Sequence, residues 1–221
     1  MPDLDYQIKK LSFFSSLDPL ELKTLATIST IKKYPKDSIL FYENDTNNKV
    51  YFLIEGLLKV YKIDKYDNEI FLYHIYEGSM ISELTTIDDN TIHCFSNAEF
   101  AQNSIVLEVD FDALKEKFLA KGILNLEFIK EILKKTSQLH CVVNRELVFD
   151  ATAKVAFMLW DDLEMFNSKK RQEVSFMLHI QPETLSRVLK KLTRNETIEI
   201  VNSKITILNY ERLKKIYRGE E

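Results

Sequence analysis

The chain has only two cysteines, Cys94 and Cys141, far apart in 221 residues. That scarcity excludes a disulfide framework and fits a reducing compartment. It also excludes an iron–sulfur cluster held by four thiolates of one chain. No apolar run approaches the ~18 residues of a membrane-spanning helix. The opening Met-Pro-Asp-Leu-Asp lacks the basic and apolar regions of a signal peptide. A cytoplasmic protein with no membrane partner is therefore expected. Glycine is equally scarce, four in all, and none forms a Gly-rich phosphate loop. No serine or cysteine sits in a nucleophile elbow, and no His-x-His or His-Glu-x-x-His spacing occurs. The strand-rich region holds only His74 and His93, too few for a metal-dependent β-barrel enzyme. No enzymatic activity is expected.

Positive charge is scarce overall, with a net of −4, but it is unevenly placed. From Lys169 to Glu221, 12 lysines and arginines stand against 7 acids, a net of +5, whereas residues 1–168 carry −9. A basic C-terminal third on an acidic body is the pattern expected when one end meets phosphates. Within that third, Leu178–Leu192 holds the most specific chemistry. Glu183, Ser186 and Arg187 fall at i, i+3 and i+4 and so share one helix face. Leu185, Val188, Leu189 and Leu192 form the opposite face. Arginine bonds bidentately to guanine, and glutamate accepts from the cytosine amine in the major groove of double-stranded DNA. Gln181, Thr184, Lys190 and Lys191 complete the expected DNA-binding set, with the lysines on phosphates.

The rest of the chain divides into blocks. Asp18-Pro19-Leu20-Glu21 is a helix start with a capping box, and Leu22, Leu25, Ala26 and Ser29 continue at helical spacing. Between 38 and 109, β-branched and aromatic runs (38–42, 50–54, 57–61, 69–75 and 104–109) alternate with polar turns, as in a sandwich or barrel. Leu126, Ile129, Leu133, Thr136, His140, Val143 and Leu147 then step by three and four. They form a heptad seam suited to a homodimer contact, with Ile132, Leu139 and Val142 free to face the barrel. A helix over Ala151–Phe166 follows, then Arg171–Leu178, a turn at His179-Ile180-Gln181 and the helix at 182–194. Here Pro182 starts the helix and Gln181 caps it. His179 is expected to cap the preceding helix, with contact to a phosphate as the alternative. A hairpin with a two-residue loop at Asn202-Ser203 completes a winged helix–turn–helix.

This order of parts resembles the Crp/Fnr family of bacterial transcription regulators. The strongest resemblance lies in Pro182–Leu192, where Glu183-x-x-Ser186-Arg187 is similar to the Fnr-type recognition helix. Phe13–Leu17, Val50–Gly56 and Ala98–Ala101 give weaker support. The resemblance implies an α+β chain: a β jelly-roll sensor domain at 1–118, a dimerisation helix at 119–150 and a winged helix–turn–helix at 151–221. It further implies a homodimer reading an inverted repeat of TTGAT-like half-sites, contact with RNA polymerase, and a role in stress response.

Where the chain departs from the family, it departs at the effector. Cyclic-AMP-binding relatives carry Gly-Glu-Leu and, about eight residues on, Arg-Ser. Here Ser82-Glu83-Leu84 keeps the acid, and His93-Cys94 or Cys94-Phe95 stands in place of the arginine. A cyclic phosphate needs a charge-assisted partner that a neutral imidazole or thiol does not supply. Glu83, expected to cap backbone amides, His93 and Cys94 are the candidate effector-pocket residues. Cyclic AMP is not the expected ligand. The N-terminal cysteine cluster of Fnr-type sensing is also missing. A haem or thiol sensor using the His93-Cys94 or His140-Cys141 pairs, a member that needs no ligand, and an atypical nucleotide pocket all remain open.

Overall fold

The computed structural model describes residues 4–220; Met1–Asp3, part of the opening read above for a signal peptide, lie outside them. The chain forms two compact units, 1–138 and 139–221.

The first unit opens with α1 (Leu4–Lys9) and α2 (Pro19–Thr27). The Asp18 carboxylate accepts from the Leu20 and Glu21 amides, both at 2.8 Å, and Glu21 returns the bond to the Asp18 amide. That closes the capping box read from the sequence. The helix stops at Thr27, and Ser29 begins a strand rather than a further turn. The strands are β1 (Ser29–Tyr34), β2 (Ile39–Phe41), β3 (Thr46–Asn47), β4 (Lys49–Glu55), β5 (Leu57–Ile63), β6 (Glu69–Tyr76), β7 (Ile92–His93), β8 (Asn97–Phe100) and β9 (Ser104–Asp110). They pair antiparallel in orders β1-β9-β4, β2-β8-β5-β6 and β3-β7. The β-rich, jelly-roll architecture expected from the sequence is present.

Side-chain alternation on β4 builds two cores at once. Leu53, with Val106 of β9, packs against Leu58, Val60, Ile75, Ala98 and Phe100 in the roll. Val50, Phe52 and Ile54 turn the other way, onto Phe13, Phe14 and Phe128. The Phe13–Phe52 and Phe13–Phe128 ring centroids lie 4.8 and 5.0 Å apart. Turn geometry is strict at one point. Gly56 has φ +106°, and an added Cβ would sit 2.2 Å from Ser104 Oγ, so only glycine fits between β4 and β5.

After α3 (Phe111–Lys117), a short 3-10 turn at Leu119–Lys121, Gly122 at φ 77° and Leu124 at φ 66° interrupt the chain. The long helix α4 therefore spans Asn125–Val143, shorter than the expected 119–150. It ends in a π-turn at Asn144–Val148, which adds a residue to the turn and puts Leu147 beyond the regular register of α4. The face of α4 turned to the roll also differs from expectation. Ile132 and Leu139 are exposed, whereas Phe128 is buried. Lys134 Nζ donates to Ser79 Oγ at 2.8 Å, and Lys135 Nζ to the Ile81 carbonyl at 3.1 Å.

The second unit contains α5 (Ala151–Asp161), α6 (Leu163–Ser168), α7 (Arg171–Met177), α8 (Pro182–Arg194), β10 (Ile198–Val201), β11 (Lys204–Ile207) and α9 (Tyr210–Arg218). The single helix expected over Ala151–Phe166 is broken at Asp162, whose carboxylate caps α6 by accepting from the Met165 amide at 2.9 Å. Asp competes for local backbone donors and so favours such a break. Helix α9 was not read from the sequence. It packs on α5, with Tyr217 5.4 Å from Trp160 and 5.4 Å from Phe157 between ring centroids.

Candidate nucleic-acid interface

Helix α8 is fixed by its apolar face. Leu185, Val188, Leu189 and Leu192 are all at most 5% exposed. Burying four such side chains stabilises the helix in one rotation about its axis by several kcal/mol, at about 1.5–3 kcal/mol each. That rotation turns Glu183, Ser186, Arg187, Lys190, Lys191 and Arg194 out to solvent, where, with Pro182, they line one shallow groove. Gln181 is exposed and Thr184 half-buried at the start of the helix. Gln181 occupies the N-cap position with extended backbone, but its side chain makes no capping bond. Pro182, lacking an N–H, leaves one fewer donor to satisfy there.

The turn before α8 is tight. The His179 amide donates to the Phe176 carbonyl and the Ile180 amide to the Ser175 carbonyl, both at 3.0 Å. His179 takes φ 51°, a left-handed conformation that favours glycine. Its ring does not cap α7 as expected: Nδ1 lies 2.9 Å from Glu146 Oε2. Glu146 sits in the π-turn; its Oε1 accepts from Arg145 Nε at 2.7 Å, and Lys154 Nζ lies 3.5 Å from the same Oε2 that faces His179. This tie between the π-turn and the turn of the helix–turn–helix was invisible in the sequence, because its residues are 33 positions apart.

The wing is held from beneath. Asn167 donates to the Ile205 carbonyl and accepts from the Ile205 amide, each at 2.8 Å. Arg171 donates to the Ser203 carbonyl at 2.7 Å and lies 4.8 Å from the Phe166 ring centroid. Asn202 and Ser203 both have positive φ, 49° and 65°, as the two-residue hairpin requires. Asn167 and Arg171 therefore position the wing, a role the sequence reading did not assign them.

The seam positions of α4, Leu126, Ile129, Leu133, Thr136, His140 and Val143, are all exposed within the chain, as is Leu147 in the π-turn.

Of the effector-pocket candidates, Cys94 and Glu83 lie near enough for their charges to interact, whereas His93 faces away. Strand alternation turns His93 outward and buries Cys94. Burial pushes the Cys94 thiol up to about 11, against the Asn47 amide 3.5 Å from Sγ. Glu83 is no backbone cap; its carboxylate accepts from the Tyr73 hydroxyl at 2.6 Å. Burial holds Lys135 down at about 8, with Glu83 opposing that shift. Residues 1–144 contain no arginine; all six arginines lie from Arg145 onward. Among the described residues no group of three or more His, Cys, Asp or Glu could hold a metal ion.

The cyclic nucleotide-binding domain matches residues 31–121, and the Crp-like helix-turn-helix domain matches residues 166–216. The chain is 26% identical over 106 residues to the anaerobic regulatory protein of Bacillus subtilis, covering 48% of this chain and 44% of that protein. It is 23% identical to the fumarate and nitrate reduction regulatory protein of Vibrio cholerae, covering 96% and 88% of the two chains. In structure it is similar to a CooA mutant from Carboxydothermus hydrogenoformans, with a TM-score of 0.72, 17% identity and coverage of 94% and 95%. A nucleotide-binding-type β-roll ahead of a Crp-like helix–turn–helix defines a class of transcription regulator. Both parts of the chain are similar to those of Crp/Fnr-type transcription regulators, and the relatives matched here are regulators, not enzymes.

The Glu146 tie has a pH signature. Burial disfavours its charge, but the His179 and Arg145 donors outweigh this and hold the carboxyl down at about 2. A depressed carboxyl stabilises the fold above its unfolded value near 4.5 and loses that stabilisation as pH falls toward 2. Allowing for solvent screening of a partly exposed group, the contribution is about 1–2 kcal/mol. Glu146→Gln is expected to lower the melting temperature at pH 6, and the gap to wild type should narrow as thermal melts are repeated down to pH 3.

Proposed function

We propose that the chain is a sequence-specific DNA-binding transcription regulator that acts as a homodimer in the cytoplasm. In this reading it recognises an inverted repeat of TTGAT-like half-sites and engages RNA polymerase. The observation that carries it is the split of α8 into a buried apolar face and an exposed face bearing Glu183, Ser186 and Arg187. Arg187 contacts guanine, Glu183 accepts from cytosine, and Ser186 meets a thymine methyl or the backbone. Thr184 and Gln181 flank these contacts. Lys190 and Lys191 take phosphates and set register without reading sequence. The basic net charge of the C-terminal third supports the same assignment.

Dimerisation is assigned to α4. Leu126, Ile129, Leu133 and Val143 are each at least half exposed on one chain, too much apolar surface along a single stripe for an isolated helix. A two-fold copy packing on that stripe covers it and sets two recognition helices about one DNA turn apart. Thr136 and His140 are polar positions within the seam and fix its register.

In this reading the β-roll does not take cyclic AMP, and a roll that needs no ligand fits it equally. It has no guanidinium for a cyclic phosphate, and its Glu83 is engaged by Tyr73. A haem or thiol sensor at the His93-Cys94 pair draws little support from an outward imidazole and a buried thiol pushed up to about 11.

Arg187→Ala is expected to cost about 1–3 kcal/mol on a duplex carrying the inverted repeat and to relax base preference at one position, measured by fluorescence anisotropy across single-base variants. Lys191→Ala should lower affinity almost uniformly across the same set. Equal loss on all sequences for Arg187→Ala sinks the base-reading role. Leu133→Glu should yield a monomer in sedimentation equilibrium while wild type sediments as a dimer. Calorimetric titration with cyclic AMP should give no saturable heat; a stoichiometric isotherm overturns the assignment of the roll.

A further inference from the structure

The second unit contains a cavity of about 1010 Å³ that adjoins the exposed groove of α8 at Lys191, at the upper end of the ~300–1,000 Å³ range of small-molecule sites. It lies between the start of α5, the end of α8 and the last turns of α9. Its walls combine Phe149, Ile216 and Tyr217 with three cations, Lys191, Arg212 and Arg218. Arg212 is held in place by donating to the Asn195 carbonyl at 2.7 Å. Neither Lys191 nor Arg218 has a carboxylate partner within 4 Å among the described residues. The one acid in the lining, Asp150, caps α5 by accepting from the Ala153 amide at 2.8 Å. A concave site with an aromatic wall and two cations, Lys191 and Arg218, that face no carboxylate among the described residues suits an organic anion: one carboxylate or phosphate on an apolar, ring-sized body.

We infer that this cavity is a binding site for a small amphipathic anion, and that its occupant weakens DNA binding by engaging Lys191. Lys191 lines both this cavity and the exposed groove on α8. One ammonium cannot serve a bound anion and a DNA phosphate at full strength. By linkage, an anion that takes it lowers affinity for DNA, and DNA lowers affinity for the anion by the same factor. The binding half of the inference stands on the cavity alone; the coupling half rests on the DNA-reading role proposed above.

The protein carries its own reporter. Trp160 is the sole tryptophan, and its ring lies 5.4 Å from that of Tyr217 in the cavity wall. Titrating the full chain with 4-phenylbutanoate, or with phenyl phosphate, is expected to shift Trp160 emission saturably with one site per chain. The neutral 4-phenylbutanamide should bind at least about tenfold more weakly, as loss of a charge-assisted bond implies. Arg218→Glu, an exposed change in the last turn of α9, should weaken the anion by about tenfold and leave the amide unchanged. Equal binding of acid and amide, indifference to Arg218→Glu, or no saturable shift with either anion overturns the site. On a duplex with the inverted repeat, saturating anion should lower wild-type affinity severalfold, and Lys191→Ala should abolish that sensitivity. Bound anion with unchanged DNA affinity overturns the coupling. A protein that binds no DNA at all overturns the DNA-reading role and leaves the fluorescence result standing.

Discussion

Everything the second unit presents outward depends on how α8 is rotated about its own axis. Four aliphatic side chains, Leu185, Val188, Leu189 and Leu192, set that rotation by being buried together. Because a helix repeats every 3.6 residues, fixing one face fixes the other. A turn of about 100° would bury Arg187 without a partner, at a cost of several kcal/mol. Burial is thus what gives the exposed acid, hydroxyl and guanidinium a defined geometry. The wing and the preceding turn are fastened around the same helix by Asn167, Arg171 and the His179–Glu146 contact.

Features governed by short-range pattern were legible in the sequence. The capping box at Asp18, the alternation on β4, the start of α8 at Pro182 and the hairpin at Asn202-Ser203 all depend on residues a few positions apart, where period and turn chemistry dominate. The misreadings came where a local signal was overruled by a neighbour. Helical spacing past Ala26 ran on to Ser29, but β9 claimed Ser29 as a strand partner of Val109. The apolar spacing of 151–166 gave no sign of the break, which a single Asp162 cap supplies. The resemblance implies a long helix from 119, but the left-handed Gly122 and Leu124 delay its start. Helix α9 could have been found from Asn209 as a cap and Leu213, Ile216 and Tyr217 at helical spacing.

The candidate sites split along the same line. The α8 face was readable because all its members lie on one helix. The interior of the roll was not, because it is assembled from β6, β7, the segment around Glu83 and α4. Lys135 reaching Ile81, and Tyr73 reaching Glu83, join residues 54 and 10 positions apart. At the acid kept from the nucleotide-binding pattern, Glu83, the partner is the chain's own tyrosine, Tyr73.

The distribution of cation type adds a further property. The first unit, 1–138, has no arginine, so every basic side chain in it is a lysine or a histidine. All six guanidiniums lie in the second unit. A lysine loses its charge by giving up one proton or by acylation, and a guanidinium does neither under ordinary conditions. Chemical acetylation of the whole protein would therefore strip the roll of its lysine cations while Arg187 and its five companions keep theirs. The two halves of one chain differ in whether their charge can be erased.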